Sequence, residues 1–141
     1  MLSRKCQYAL HALKFIANQS FEKSVLVGER IVTVKEITEN ENIPKKFLSV
    51  ILADLKTAGI LSSERGKTGG YYLRRNPTTI TVLEVIRVID GAVAMLPCVS
   101  LNFYQSCGLC ADESSCGVNG IFTEVRDETL KILSTTTIAQ L

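Results

Sequence analysis

The chain has 141 residues, of which 46% are hydrophobic and 21% are charged. This composition fits one globular domain with room for a small appendage, and it excludes an intrinsically disordered chain. The longest apolar runs, such as residues 50–53, are far too short to cross a bilayer, and the N-terminus lacks a signal-peptide core. We therefore expect a cytoplasmic protein, in which cysteine thiols stay reduced.

Charge is divided unevenly along the chain, although the net charge is only +2. Residues 1–76 hold thirteen Lys and Arg against seven Asp and Glu, whereas residues 77–141 hold three against seven. A basic first half favours a polyanionic partner. We expect residues 1–76 to bind that partner and residues 77–141 to serve a different purpose.

The first predicted elements are three helices and one extended segment. Apolar residues at helical spacing predict a helix over residues 3–19, and a β-branched stretch predicts a hairpin or extended segment over residues 25–33. A capping-box pattern opens a short helix over residues 34–39. Pro44 suits the first turn of a longer helix, for which Gly59 is a stop signal.

The later elements are a hairpin and two more helices. Residues 60–63 and 71–73 are strand-like and flank a glycine-rich tip at residues 64–70. A second capping-box pattern opens a helix over residues 82–89, and the last predicted helix runs from about residue 119 to about residue 133.

This order of elements is that of a winged helix-turn-helix. The predicted fold class is mainly α with a small β-hairpin wing, followed by a long C-terminal helix. The longer helix carries the apolar residue Phe47 and an inner face of Leu48, Ile51, Leu52 and Leu55. Its exposed N-terminal end and the wing tip supply the candidate DNA-binding residues, which are Lys45, Lys46, Ser49, Arg65, Lys67 and Thr68. The alternative is that these lysines form only a solvated face.

Four of the five cysteines lie in one loop, at about residues 96–117, and are the candidate metal ligands: Cys98, Cys107, Cys110 and Cys116. Three interpretations remain open. Clustered thiolates hold iron–sulfur clusters of the 2Fe-2S or 4Fe-4S type, four of them also hold zinc, and two alone form a thiol switch. Cys107 and Cys110 have zinc-knuckle spacing.

The remaining reactive residues give no enzyme signal. Cys6 lies on the apolar side of the first helix, where a buried structural role is expected, and His11 is the sole histidine, expected at or near the surface. The chain has no Ser-His-Asp or Cys-His constellation and no nucleotide-binding fingerprint. We expect a protein that is not an enzyme.

Three stretches of the chain resemble the Rrf family of bacterial transcription regulators. They are residues 44–60, residues 63–71 with the motif Arg-Gly-x-x-Gly-Gly-Tyr, and residues 80–91. The resemblance implies a homodimer whose long C-terminal helices cross, and whose two winged domains read an inverted-repeat operator on double-stranded DNA. By position, Lys46 and Ser49 match residues that contact the major groove, and Arg65 matches an arginine that enters the minor groove.

The resemblance also bears on the cysteine loop. Cluster-binding members of the family use three cysteines, which Cys98, Cys110 and Cys116 match best. Their fourth ligand is a histidine where this chain has Asn119, or an aspartate where it has Gln7, so Cys107 is the candidate for the missing ligand.

The resulting hypothesis is a transcriptional repressor whose operator affinity is gated by an iron–sulfur cluster or another metal. The alternative is a small iron–sulfur or zinc protein that acts in electron transfer or as a carrier, without binding DNA.

Overall fold

The computed structural model describes residues 2–21 and 30–141, with the side chains of Ser20 and Phe21 left aside. Within those ranges the elements are, in chain order, α1 (Arg4–Phe21), α2 (Val34–Glu41), α3 (Lys45–Thr57), β1 (Leu61–Glu64), β2 (Gly70–Leu73), α4 (Val82–Ile89) and α5 (Gly117–Thr135). Short 3₁₀ turns occupy Pro77–Thr79, Pro97–Val99, Glu113–Ser115 and Ile138–Gln140. The mainly α class with a small hairpin is as predicted. No helix in the described ranges is long and apolar enough to cross a membrane.

The ends of α2 and α3 are set by local sequence signals. Thr33 Oγ1 accepts a hydrogen bond from the Glu36 N–H at 3.2 Å, and the Glu36 carboxylate accepts one from the Thr33 N–H at 2.7 Å, which completes the predicted capping box. Pro44 directly precedes α3 with φ −60°. Gly59 follows it with φ +75°, a left-handed conformation that favours glycine and ends the helix.

The second predicted capping box, at the start of α4, forms only by half. Thr81 Oγ1 accepts from the Glu84 N–H at 3.1 Å, as expected. The Glu84 carboxylate does not return the bond, because it is hydrogen-bonded to the Arg75 guanidinium. The Arg75 guanidinium, which lies outside the helix, therefore takes the place of the Thr81 N–H as the donor to Glu84.

The wing is fixed to the beginning of α2. β1 and β2 pair in antiparallel fashion, with Leu61 opposite Leu73 and Glu64 opposite Gly70. Val32 and Tyr71 exchange two backbone hydrogen bonds, each of 2.8 Å. Most of the extended segment predicted at residues 25–33 lies outside the described residues.

One hydrophobic core joins both halves of the chain. Helix α1 packs on α2, α3 and α4. The core includes Leu48, Ile51, Leu52 and Leu55 of α3, together with Ile80, Val85 and Ile138 from the second half. Ile138 is held by a bond from its N–H to the Ile80 carbonyl at 2.9 Å, so the C-terminal turn, which was not predicted, closes one side of the core.

Helix α5 lies at the edge of the molecule, and none of its residues is fully buried. It begins two residues before the predicted start and ends two residues beyond the predicted end. One side rests on α4 and on the 3₁₀ turn at 97–99. Another side exposes four apolar residues, which are Val118, Ile121, Val125 and Ile132.

Candidate nucleic-acid interface and cysteine loop

The N-terminal half of α3 presents its polar residues to solvent. Lys45, Lys46 and Ser49 are exposed, while Leu48 and Ile51 on the opposite face are fully buried. The Ser49 hydroxyl donates to the Lys45 carbonyl at 3.0 Å, which leaves its oxygen lone pairs facing outward as acceptors. The helix therefore offers two cations and one acceptor on a single rigid surface.

Phe47 is an apolar residue of α3 that lies outside the buried face, and 56% of it is exposed. Its ring lies 6.4 Å from that of Tyr8, between centroids, in a tilted arrangement. Phe47 thus joins Lys46 on the outward surface of α3, where an apolar side chain can contact a thymine methyl group. The signal available in the sequence was its position beside Lys45 and Lys46.

The wing tip carries the second group of candidate residues. Arg65, Lys67 and Thr68 are all exposed. Gly66 has φ +115°, and a Cβ on Gly69 would lie 2.4 Å from the Glu64 carbonyl oxygen, so the tip is a tight turn that depends on glycine. The candidate residues of the wing tip and those of α3 are thus all exposed to solvent, and their contact with DNA stays a prediction.

Within the described residues, the candidate cations have no acidic partner, in contrast to six other basic side chains. Lys5, Arg30, Lys35, Arg75, Arg126 and Lys131 each form an ion pair. Across residues 2–21 and 30–141, no such pair involves Lys45, Lys46, Arg65 or Lys67. Cations without an internal partner keep their full charge available for phosphates.

The cysteine loop brings two of its four thiols into contact. The Cys107 and Cys110 sulfur atoms lie 3.9 Å apart. This is close to the edge of about 3.8 Å expected for two thiolates on one tetrahedral metal with metal–sulfur bonds of about 2.3 Å. Cys98 is buried in the turn at 97–99, and Cys116 is half-buried at the start of α5.

The thiols also perturb one another's ionisation. A hydrogen bond from the Leu109 backbone lowers the pKa of Cys107, and bonds with Cys110 and Cys98 lower it further. Desolvation raises the pKa of Cys110 to about 11, and its hydrogen bond with Cys107 and the charges of Cys107 and Cys116 add to this. Either sulfur can donate in the contact between Cys107 and Cys110, and further interactions link Cys98 to Cys107 and Cys116 to Cys110, so all four thiols belong to one network.

The donor set fits a soft metal, but the geometry of a full site is not assembled. Within the described ranges, no three His, Cys, Asp or Glu side chains are placed to hold a metal ion. Residues 101–109 of the loop are exposed throughout, so moving Cys107 by a few ångströms breaks little packing. Four thiols with one pair already at ligand spacing suit zinc or an iron–sulfur cluster.

Asn119 and Gln7, which stand where relatives have their fourth ligand, and Asp112, a carboxylate within the loop, are engaged in other hydrogen bonds. Asn119 meets the cysteine site through its backbone, whose N–H donates to Cys116 Sγ at 3.5 Å and caps α5. The Gln7 amide donates to the Leu2 carbonyl at 3.2 Å. Asp112 caps the 3₁₀ turn that follows it through the Ser114 N–H.

The two residues assigned no ligand role occupy the expected environments. Cys6 is fully buried, and desolvation, with the charge of Asp90 as a smaller cause, raises its pKa to about 12. The His11 side chain is exposed, and its Nδ1 lies 3.1 Å from a Glu41 carboxylate oxygen.

Comparison with known proteins was made by sequence family and by curated relatives. The Rrf2 family model, described as an iron-dependent transcriptional regulator, matches residues 2–141. An rrf2-like HTH-type transcriptional regulator of Rhodobacter capsulatus is 40% identical over 125 residues, covering 89% of this chain and 81% of that protein. The HTH-type transcriptional regulator IscR of Escherichia coli O1:K1 is 27% identical over 140 residues, covering 99% and 78%.

Solved structures agree with this comparison. CymR (YrzC), the global cysteine regulator of B. subtilis, superposes with a TM-score of 0.77 at 24% identity, covering 99% of this chain and 94% of that one. IscR of T. potens superposes with a TM-score of 0.72 at 27% identity, covering 99% and 84%. The predicted winged-helix fold class is confirmed by these likenesses.

Proposed function

Because the chain belongs to the Rrf2 family of transcription regulators, and not to a family of enzymes, we propose that it is a homodimeric, cytoplasmic repressor whose operator affinity is gated at the cysteine loop. One observation carries the proposal. A surface of cations on α3 and the wing, unpaired among the described residues, occurs in the same chain as a network of four thiols next to α5. The iron-dependent description of the family supports iron, in a cluster, as the gating group.

DNA binding is assigned to two surfaces on residues 1–76. Lys45, Lys46 and Ser49 would enter the major groove at the N-terminal end of α3, where a recognition helix makes its base contacts. Arg65, Lys67 and Thr68 would meet the minor groove or its phosphates from the wing. The bridge between Val32 and Tyr71 supports the assignment of α3 and the wing to neighbouring grooves, since it fixes the wing relative to the helix-turn-helix.

Dimerisation is assigned to α5, with a second copy of the chain as partner. The exposed apolar residues Val118, Ile121, Val125 and Ile132 follow the 3-4 spacing of one coiled-coil seam, with Glu128 completing the pattern. Such a stripe is stable in water only when it is covered.

A pair of lysine substitutions tests the dimer. Val125→Lys places a charge in the stripe and should give a monomer by sedimentation velocity. Glu124→Lys puts the same side chain at the neighbouring exposed position outside the stripe and should leave the dimer intact. Dimers of equal strength in both variants would rule out α5 as the seam.

The gating group would be held by Cys98, Cys107, Cys110 and Cys116. When bound, a metal or cluster would supply cross-links between thiolates and sensitivity to oxidants or to metal supply. The chain supplies the coupling, since Cys116 is the N-cap of α5 and Cys98 lies in the turn on which α5 packs. A change at the loop would thus shift α5, and with it the spacing of the two DNA-binding units.

Anaerobic purification tests the proposal as a whole. We expect protein that is retained on heparin, shows visible thiolate-to-iron absorption and contains iron on metal analysis. Visible absorption without heparin retention would favour the carrier alternative. A colourless protein with stoichiometric zinc would keep the regulator and replace the cluster.

A further inference from the structure

One charged residue of α5 is largely buried against the cysteine loop. The Arg126 side chain is 13% exposed, and its Nη1 donates to the backbone carbonyl of Val99 at 2.6 Å. Val99 directly follows Cys98, and both lie in the buried turn at 97–99. The guanidinium therefore holds the backbone beside a candidate ligand.

The guanidinium is held in place by hydrogen bonds at both ends of its fork. Its Nε donates to Asp127 Oδ1 at 2.8 Å, and its Nη2 lies 2.7 Å from the same oxygen. On another side Arg126 borders a cavity of about 680 Å³, lined also by Ser3, Asp90 and Leu133. Since that side is open, packing alone does not hold the side chain, and the bonds to Val99 and Asp127 do.

Helix α5 consequently meets the cysteine network at two separate points. Cys116 caps its first turn, and Arg126 reaches the Cys98 turn ten residues later. At a rise of 1.5 Å per residue, these points are about 15 Å apart along the helix axis. A displacement of Cys98 relative to Cys116 must therefore tilt α5 or break the bond from Arg126 to Val99.

We propose that Arg126 is a positioning residue for the cysteine site: it fixes the backbone at Val99 so that Cys98 faces the other thiols, and it ties that ligand to α5. The proposal rests on the proposed metal-binding function of the four cysteines. Residues that orient ligands in this way contribute to metal affinity without touching the metal, because the ligand must otherwise be ordered when the metal binds.

The experiment uses full-length protein, stripped of metal and titrated anaerobically with Co²⁺, whose thiolate charge-transfer band reports the number of sulfur ligands. Arg126→Gln removes the cation and the fork, and we expect the Co²⁺ affinity to fall about 10- to 100-fold. Its spectrum should match that of Cys98→Ser, with one thiolate fewer than the parent chain. Arg126→Lys keeps one donor without the planar fork, and we expect a loss of about threefold. Lys131→Gln, on the exposed side of the same helix, should leave both affinity and spectrum unchanged.

The outcomes separate this proposal from the one on which it rests. A parent chain without a thiolate band would remove the metal site and the positioning role together. A parent chain that binds Co²⁺ through four thiolates, alongside an Arg126→Gln variant with the same affinity and band, overturns the positioning role alone. Thermal melting of the stripped proteins shows whether the glutamine variant folds. If it does not, parent-like affinity in Arg126→Lys overturns the role in the same way.

Discussion

At the scale of single residues, the candidate DNA-binding cations differ from the basic side chains that join elements of the fold, such as Lys5 and Lys56. Lys5 is bound to Asp54 at 2.6 Å, and Lys56 donates to Ser63 at 2.7 Å, so both hold elements of the fold together. Arg65 is exposed at the wing tip and has no such contact within residues 2–21 and 30–141. Its side chain is free to follow a groove or a phosphate.

Arg65→Ala should weaken binding to the operator several-fold. Because one phosphate or minor-groove contact is lost, the slope of log affinity against log salt should become shallower by about one. Fluorescence anisotropy at a series of salt concentrations measures both quantities. Arg87→Ala, which removes an exposed arginine from α4, is the control, and equal salt slopes for the two variants would show that the wing does not touch DNA.

Thiol reactivity should differ sharply between Cys107 and Cys6 in the stripped protein. Hydrogen bonds lower the pKa of Cys107, whereas burial raises that of Cys6 to about 12. Since the thiolate is the reactive form, iodoacetamide at pH 8 should label Cys107 first and leave Cys6 unmodified until the protein unfolds. Peptide mass mapping over time checks the order, and early labelling of Cys6 would contradict its burial.

The raised pKa of Cys6 also predicts a loss of stability in alkali. Burial raises the pKa of Cys6 in the folded state to about 12, while the unfolded thiol loses its proton near the ordinary thiol pKa of 9.0. The folded chain thus binds more protons between these values, so the contribution of Cys6 to stability declines as the pH rises through that window. Denaturant melts should show this decline in the parent chain and lack it in Cys6→Ala, whereas equal slopes of stability against pH in the two chains would contradict the assignment to Cys6.

At the scale of elements, glycine at the start of β2 is required by close backbone approach. A Cβ on Gly70 would lie 2.4 Å from the Val32 carbonyl oxygen, within the bridge that fixes the wing. Gly70→Ala should therefore lower the free energy of unfolding by about 1–3 kcal/mol, as overpacking does. Gly120→Ala is the matched control, since Gly120 lies in α5 with nothing within 4 Å and alanine should stabilise the helix by up to about 1 kcal/mol. Urea denaturation measures both changes. An equal free energy of unfolding for Gly70→Ala and the parent chain would show that the bridge tolerates a side chain.

Elements with local end signals were predictable, and contacts between distant residues were not. The capping box at Thr33 and the left-handed Gly59 act within a few residues, so the sequence alone locates α2 and the end of α3. The diversion of Glu84 to Arg75 and the outward position of Phe47 depend on the packing of neighbouring elements. The same holds for the bond from Arg126 to Val99, which joins residues 27 positions apart and has no periodic signature.

At the scale of the whole molecule, the candidate site was predictable in its membership but not in its geometry. The clustering of four cysteines in one loop is visible in the sequence. Which of them lie at ligand spacing depends on how the loop folds, since Cys107 and Cys110 meet within it. The buried cluster of Cys6, Val82 and Ile86 packs against Leu133 of α5, and Leu10 and Ile89 pack against both this cluster and the main core, so packed side chains connect α5 with the DNA-binding elements.

The most direct test of the account is the operator affinity of one preparation measured twice, metal-loaded and stripped, on an operator selected from random duplexes. The two forms should differ by about 5- to 150-fold, the range of coupling free energies found in regulatory proteins. The same ratio in a Cys98→Ser variant should fall towards one. Affinities that agree within error in both forms of the parent chain would contradict gating at the cysteine loop, whatever its metal.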